Sequence, residues 1–142
     1  MKIAINKCYG GFGLSPKANQ IYLKKMDKKC FFYKQTGYAH NGNEEYTQID
    51  IVEATTHQMC IYILTKDFGK IINKLPEKYH YYETFYKDRN NKLLIETIEE
   101  LGEKEASGNL ASIKIIEIPD DVEWTIDDYD GIESIHENHR SW

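Results

Sequence analysis

Short stretches in which apolar and polar residues alternate recur along this chain, and they are separated by two stretches with helical spacing. Lys2–Asn6 sets Ile3 and Ile5 against polar neighbours, and Tyr46–Glu53 does the same with Ile49 and Ile51. Ser112–Ile118 carries isoleucines at 113, 115 or 116, and 118, while Val122–Ile126 places Val122, Trp124 and Ile126 on one side. A period of two puts alternate side chains on one face of a strand. Cys30–Lys34, Met59–Thr65 and Tyr79–Tyr86 read as further strands, with the dense apolar run Met59–Thr65 as a central one.

The helical stretches are marked by their starts. Ser15-Pro16 predicts a capped helix running to about Lys29, with Ala18, Ile21, Tyr22 and the stem of Lys25 on one face. Asn90 or Asn91 predicts a second, over Leu93–Glu105, burying Leu94, Ile95, Ile98 and Leu101 and ending at Ser107-Gly108-Asn109. Thr36–Glu45 reads as an exposed turn, Lys66–Leu75 as a turn with a short helix-like segment, and the tail from Gly131 as a weak helix built on Ile132 and Ile135. Strands interleaved with two helices predict an α+β fold, a mostly antiparallel β-sheet with two main α-helices packed on it. At 142 residues the chain reads as a single domain, residues 1–142.

Charge is unevenly spread. The net of −5 hides a first part, residues 1–92, at +6 and a remainder at −11. Residues 1–34 hold eight lysines against the single acid Asp27. This pattern argues against long nucleic acid as a partner and favours a small anion meeting the N-terminal half. Apolar runs fall well short of the roughly 20 residues that cross a bilayer, so no membrane partner is expected. Lys2 and Lys7 bracket only three apolar residues, which makes no signal peptide. The three cysteines, Cys8, Cys30 and Cys60, form no C-x-x-C pair, which points to a reducing compartment and to no zinc site.

Four constellations could carry chemistry. Asn6–Ser15 (NKCYGGFGLS) joins a strand, a glycine-rich loop and a capped helix, with Lys7 at the entrance. It suits a phosphate approached by backbone N–H groups, or equally a tight strand-to-helix turn. It lacks the G-K-[ST] ending of a Walker loop and the third glycine of a dinucleotide fingerprint. Tyr79, His80, Tyr81, Tyr82, Phe85 and Tyr86, followed by Arg89, could stack a purine and hold its phosphate, or could simply form a strand with one aromatic face in the core. His136-x-x-His139 has metal-ligand spacing on a helix but reads better as a solvated end, and no metal or cofactor is expected. The acidic residues of Glu96–Glu105 form a solvated helix face. With no nucleophile elbow or Cys–His signature, binding is indicated rather than catalysis.

Four ordered segments, INKCYGGFGLS, IEELGEKEASGN, IEIPDDVEW and YDGIESIHENHRSW, resemble the first Thoeris anti-defence (Tad) family of bacteriophages. The resemblance implies an antiparallel sheet with packed helices. It also implies a non-enzymatic sponge, acting in the host bacterial cytoplasm, that sequesters cyclic ADP-ribose-type signals (glyco-cyclic ADP-ribose among them) made by bacterial immune sensors. The NAD-depleting effector is then never activated. It further implies a homodimer, or a larger ring such as a hexamer, with a second site for cyclic oligonucleotides. An enzyme cleaving the same signal, or an inhibitor that binds the sensor or effector protein, is the alternative. The combined reading places Lys7, Gly10, Gly11, Phe12, Tyr82, Arg89, Asn91, Asn109 and Arg140 at the ligand. Arg140 stands alone in an acidic tail, and Asn109 stands where family members tend to carry a basic residue.

Overall fold

The computed structural model describes residues 1–38, 43–56, 58–59, 61–85 and 88–138. The fold is α+β, and every strand pairing among the described residues is antiparallel. The chain divides into two compact units, Met1–Ala18 with Thr84–Trp142, and Asn19–Glu83.

In the first unit, β1 (Lys2–Asn6) pairs with β7 (Ile113–Glu117), Ile3 opposite Ile116 and Ile5 opposite Lys114. Ile3, Ala4, Ile5 and Asn6 are all buried, so β1 has no solvated face. Helix α3 (Lys92–Leu101) starts at Asn91, whose side-chain oxygen accepts from the N–H groups of Leu93 and Leu94. It buries Leu94, Ile95, Thr97 and Ile98, while Leu101 is only half-buried. Thr97 is tolerated inside because its hydroxyl donates to the Leu93 carbonyl at 2.8 Å. The single helix expected here is two: Gly102, at φ +91°, stops α3 before α4 (Glu103–Ala106) begins.

The tail differs from its sequence reading. In place of a weak helix, Ile132–Glu137 forms β9, hairpin partner of β8 (Trp124–Tyr129). The two-residue turn Asp130-Gly131 has φ of +53° and +93°, and Asp128 accepts from the Gly131 N–H at 2.8 Å. Two consecutive left-handed residues twist a tight hairpin the way its strands twist, and Asp-Gly is a strong signature for it. That signature outweighs a single pair of isoleucines.

The division of the chain falls within α1 (Pro16–Lys25). Ser15 caps this helix as expected, its hydroxyl accepting from the Ala18 N–H at 3.2 Å. The helix ends at Lys25, short of Lys29, because Asp27 turns left-handed (φ +59°) and the Lys28 N–H reaches back to the Leu23 carbonyl at 2.9 Å.

In the second unit a five-stranded sheet has the order β5-β3-β2-β4-β6. The strands are β2 (Phe31–Gly37), β3 (Glu45–Ile49), β4 (Ile61–Leu64), β5 (Ile71–Ile72) and β6 (His80–Tyr81). The Met59–Thr65 run supplies β4, an interior strand with β2 and β6 on either side as expected, while β2 takes the middle place. Alternation stops at Ile49, where Asp50 accepts from the Glu53 N–H at 2.8 Å and starts helix α2 (Ile51–Thr56). The helix-like reading of Lys66–Leu75 gives way to β5, and among the described residues of Tyr79–Tyr86 only His80–Tyr81 are strand, after a 3-10 turn at Glu77–Tyr79. The core of this unit is Tyr33, Tyr46 and Leu64, packed by Phe31, Tyr62, Phe68, Ile72 and Leu75.

Candidate functional site

At the C-terminal end of β1, three loops of the first unit come together: Lys7–Gly13, Ser107–Ser112 and the hairpin turn at Asp128–Gly131. Asn6, fully buried, organises them. Its amide donates to the carbonyls of Cys8 and Gly131, each at 2.7 Å, and its side-chain oxygen accepts from the Ser112 N–H at 2.8 Å. Lys7 and Ser112 add a backbone bond at 2.8 Å. One polar side chain is thus fully used, and each of its bonds ties down a different loop.

The glycines are what let these loops touch. A Cβ on Gly131 would lie 2.5 Å from the Gly11 nitrogen and 2.6 Å from that of Gly10. A Cβ on Gly10 would enter the Leu110 carbonyl oxygen. Gly108 donates to the Gly13 carbonyl at 2.8 Å, again at a distance that leaves little room for a side chain. The two readings of the glycine loop therefore both have a place. Gly10 serves close backbone crossing, whereas Gly11, at φ +97°, has nothing within 4 Å of where its side chain would be.

Beside this crossing lies a cleft of about 330 Å³ lined by Lys104, Ser107, Gly108, Ala111, Ser112, Ile113 and Lys114. Lys104, Lys114 and the Ser112 hydroxyl give its lining the donors that suit an anion. Lys114 also lies 3.6 Å from Glu103, an exposed pair that solvent screens. The Ser107 hydroxyl donates to the Glu103 carbonyl at 2.7 Å and accepts from the Ile113 N–H at 2.9 Å, so it is held in place.

Arg89 sits beneath the loop. It is 5% exposed and makes four hydrogen bonds: two to the carboxylate of Glu133 at 2.6 and 2.7 Å, one to the Phe85 carbonyl at 2.6 Å and one to the Ala4 carbonyl at 3.4 Å. Phe12 lies against the guanidinium, its ring centroid 4.0 Å from Cζ, and meets Phe85 edge-on at 6.3 Å. Glu133 accepts in addition from the Asn6 N–H at 2.8 Å. The donors expected at the ligand are engaged inside the protein. Asn91 is likewise engaged, as the cap of α3.

Lys7, Gly10, Gly11, Phe12, Arg89, Asn91 and Asn109 all belong to this unit, and Lys7 and Asn109 are exposed. Tyr82 belongs to the other unit, where it is 59% exposed and its ring lies 4.0 Å from that of His80. Tyr62 meets His80 at 5.7 Å and Tyr46 at 5.5 Å, so the aromatic run is one end of a row crossing the sheet. Phe85 of the same run lies in the first unit. Arg140 and His139 lie outside the described residues, and His136 stands on a strand, not a helix, with its ring 3.2 Å from Asp127.

Sequence reasoning missed Asn6, Glu133, Lys104, Lys114, Ser107 and Ser112. Asn6 ends an alternating segment and Glu133 stands between Ile132 and Ser134; neither advertises its distant partners, which lie 106 and 125 positions from Asn6 and 44 positions from Glu133. Lys104 lies inside the segment IEELGEKEASGN and Lys114 beyond its end, and neither belongs to a motif.

A second cleft, of about 380 Å³, lies in the other unit between Gln20, Ile21, Lys24, Lys28 and Cys30. Burial pushes the Cys30 thiol up to about 12, far from the thiolate that nucleophilic chemistry needs. Among the described residues no group of three His, Cys, Asp or Glu side chains is placed to hold a metal ion, and no helix is long and apolar enough to cross a membrane. Comparison with protein-family models, curated proteins and solved structures finds no match.

Proposed function

We propose that the protein binds and sequesters cyclic ADP-ribose-type signals made by bacterial immune sensors, holding them without cleavage so that the NAD-depleting effector stays inactive. The observation that carries this reading is the cleft lined by Lys104, Lys114 and Ser112, in the unit whose glycine loop leaves Gly11 open on its side-chain face. A diphosphate asks for cations and hydroxyls, and a bulky cyclic ligand asks for backbone that it can approach closely. The resemblance of four ordered segments to the Tad family supports the same ligand class, an action in the host cytoplasm, and assembly as a homodimer or larger ring with a further site for cyclic oligonucleotides.

Magnitudes favour an enclosed site. A sponge that outcompetes an effector needs nanomolar affinity, about −12 kcal/mol. A ligand of roughly 35 heavy atoms at about 0.3 kcal/mol each supplies about −10 kcal/mol. A second protomer closing over the ligand is the natural source of the remainder.

The test requires no sensor and no effector in the first step. The protein is mixed with glyco-cyclic ADP-ribose, all macromolecules are filtered away, and the filtrate is applied to the effector. An inactive filtrate is expected. A fully active filtrate would overturn the reading and favour an inhibitor acting on the sensor or effector protein.

A further inference from the structure

The large apolar side chains of the first unit are mostly buried or half-buried. Among its described residues three stay exposed: Tyr9 at 65%, Leu110 at 65% and Tyr129 at 77%. All three lie on the loops that cross at Gly10. Tyr9 precedes Gly10, the Leu110 carbonyl and Cβ lie against the α-carbon of Gly10, and Tyr129 leads into the Asp130-Gly131 turn that rests on the nitrogens of Gly10 and Gly11. Single exposed apolar residues are ordinary on a protein surface. Three gathered at one glycine crossing, on a unit that otherwise exposes none among its described residues, are a site.

We propose that Tyr9, Leu110 and Tyr129 are the ring-binding end of a two-part nucleotide site whose phosphate-binding end is the Lys104–Lys114 cleft. This inference rests on the sequestration reading and gives the ligand an orientation. The two ends share one loop, since Gly108 and Ala111 line the cleft and Leu110 lies between them in the chain. Gly11, next to Gly10 on the same loop, has nothing within 4 Å of where a side chain would be, so a flat ligand can lie on its backbone. Charge sets the polarity. Asp128 and Asp130 flank Tyr129 and repel an anion there, whereas the other end carries Lys104, between Glu103 and Glu105 in the chain, and Lys114, which lies 3.6 Å from Glu103.

Area favours a small ligand over a protein. Three side chains of this size present on the order of 400 Å² at this exposure, about half of the roughly 800 Å² that each partner of a stable protein complex buries. Exposed aromatic faces are instead suited to stacking a nucleobase.

Calorimetry with glyco-cyclic ADP-ribose at two salt concentrations tests the proposal, together with sedimentation velocity of each variant. Tyr9→Ala and Tyr129→Ala are expected to weaken binding at least tenfold and to leave its salt dependence unchanged, while Tyr9→Phe and Tyr129→Phe keep most of the affinity. Lys104→Gln and Lys114→Gln are expected to weaken binding and to flatten its salt dependence. All six side-chain changes are at exposed positions, so the fold is retained. Tyrosine variants that bind as the wild type does would overturn the proposal alone. So would a loss of binding accompanied by a change of oligomeric state, which would make the patch a contact between copies. A wild-type protein that takes up no ligand would overturn the sequestration reading, and this orientation with it.

Discussion

The two units are held together by different means. In the first, backbones touch at glycines, an asparagine ties three loops, and a charged pair is buried under Phe12. In the second, aromatic side chains fill the space between short strands, and Tyr33 sits fully buried at the centre, its hydroxyl bonded to Gly69, Gln48 and Phe68. A backbone crossing has no rotamers to readjust, so it holds its geometry or fails. Side-chain packing spreads the same burden over many contacts. The difference teaches that the unit with the less forgiving construction is the one suited to presenting backbone atoms to a ligand.

The largest effect that would sharpen this contrast comes from Arg89→Leu. It leaves the Glu133 carboxylate buried without its partner, which costs about 3–5 kcal/mol. Chemical denaturation reads the loss, and a loss below about 1 kcal/mol would show that the pair is not what holds the loops.

Glycines come next, because the contrast can be posed with one residue type. Gly131 and Gly69 share nearly the same φ, +93° and +91°, but only Gly131 has backbone nitrogens within 2.6 Å of a built Cβ. Gly69→Ala is expected to cost about 1 kcal/mol from backbone strain alone, and Gly131→Ala about 3 kcal/mol or more. Equal losses in thermal melts would break the distinction between interlocked and open glycines.

In the second unit, Tyr33→Phe removes a hydroxyl that donates to Gly69 at 2.8 Å and accepts from Gln48 and Phe68 at 2.9 and 3.1 Å. A cost of about 1–3 kcal/mol is expected, below that of Arg89→Leu. A larger loss than Arg89→Leu would reverse the order of the two units.

The smallest effect is a pH dependence confined to the second unit. Burial holds the His80 imidazole below its ordinary value of 6.5. The unfolded chain therefore binds the proton more readily, so stability rises with pH and is lost as pH falls below about 6.5 toward the lower native value. His80→Gln should flatten that part of the stability curve, and an unchanged slope would remove His80 as its source.

Local signals carried most of the fold into the sequence. Alternation marked β1 and β7, Ser15 and Asn91 announced their helices, and Gly102 divided one helix that spacing alone ran together. The hairpin of β8 and β9 was also written locally, in Asp130-Gly131, but the pair Ile132 and Ile135 fits helix and strand alike. At Asp50 a cap cut short an alternation that would otherwise continue. The site was less legible because its logic is long-range. A glycine-rich loop is visible as such, but which of its glycines meets Leu110, which meets Gly131 and which stays open depends on segments about a hundred positions away. Arg89 looked like a free cation because its partner, Glu133, stands in a run of otherwise unremarked strand residues.

The central claim is that the signal is held and not altered. The most direct measurement incubates the protein with a slight deficit of glyco-cyclic ADP-ribose, removes unbound ligand by filtration, denatures the protein and identifies what it releases by chromatography and mass. The account predicts stoichiometric release of the intact cyclic molecule. Release of a cleaved product, or of nothing, would contradict it.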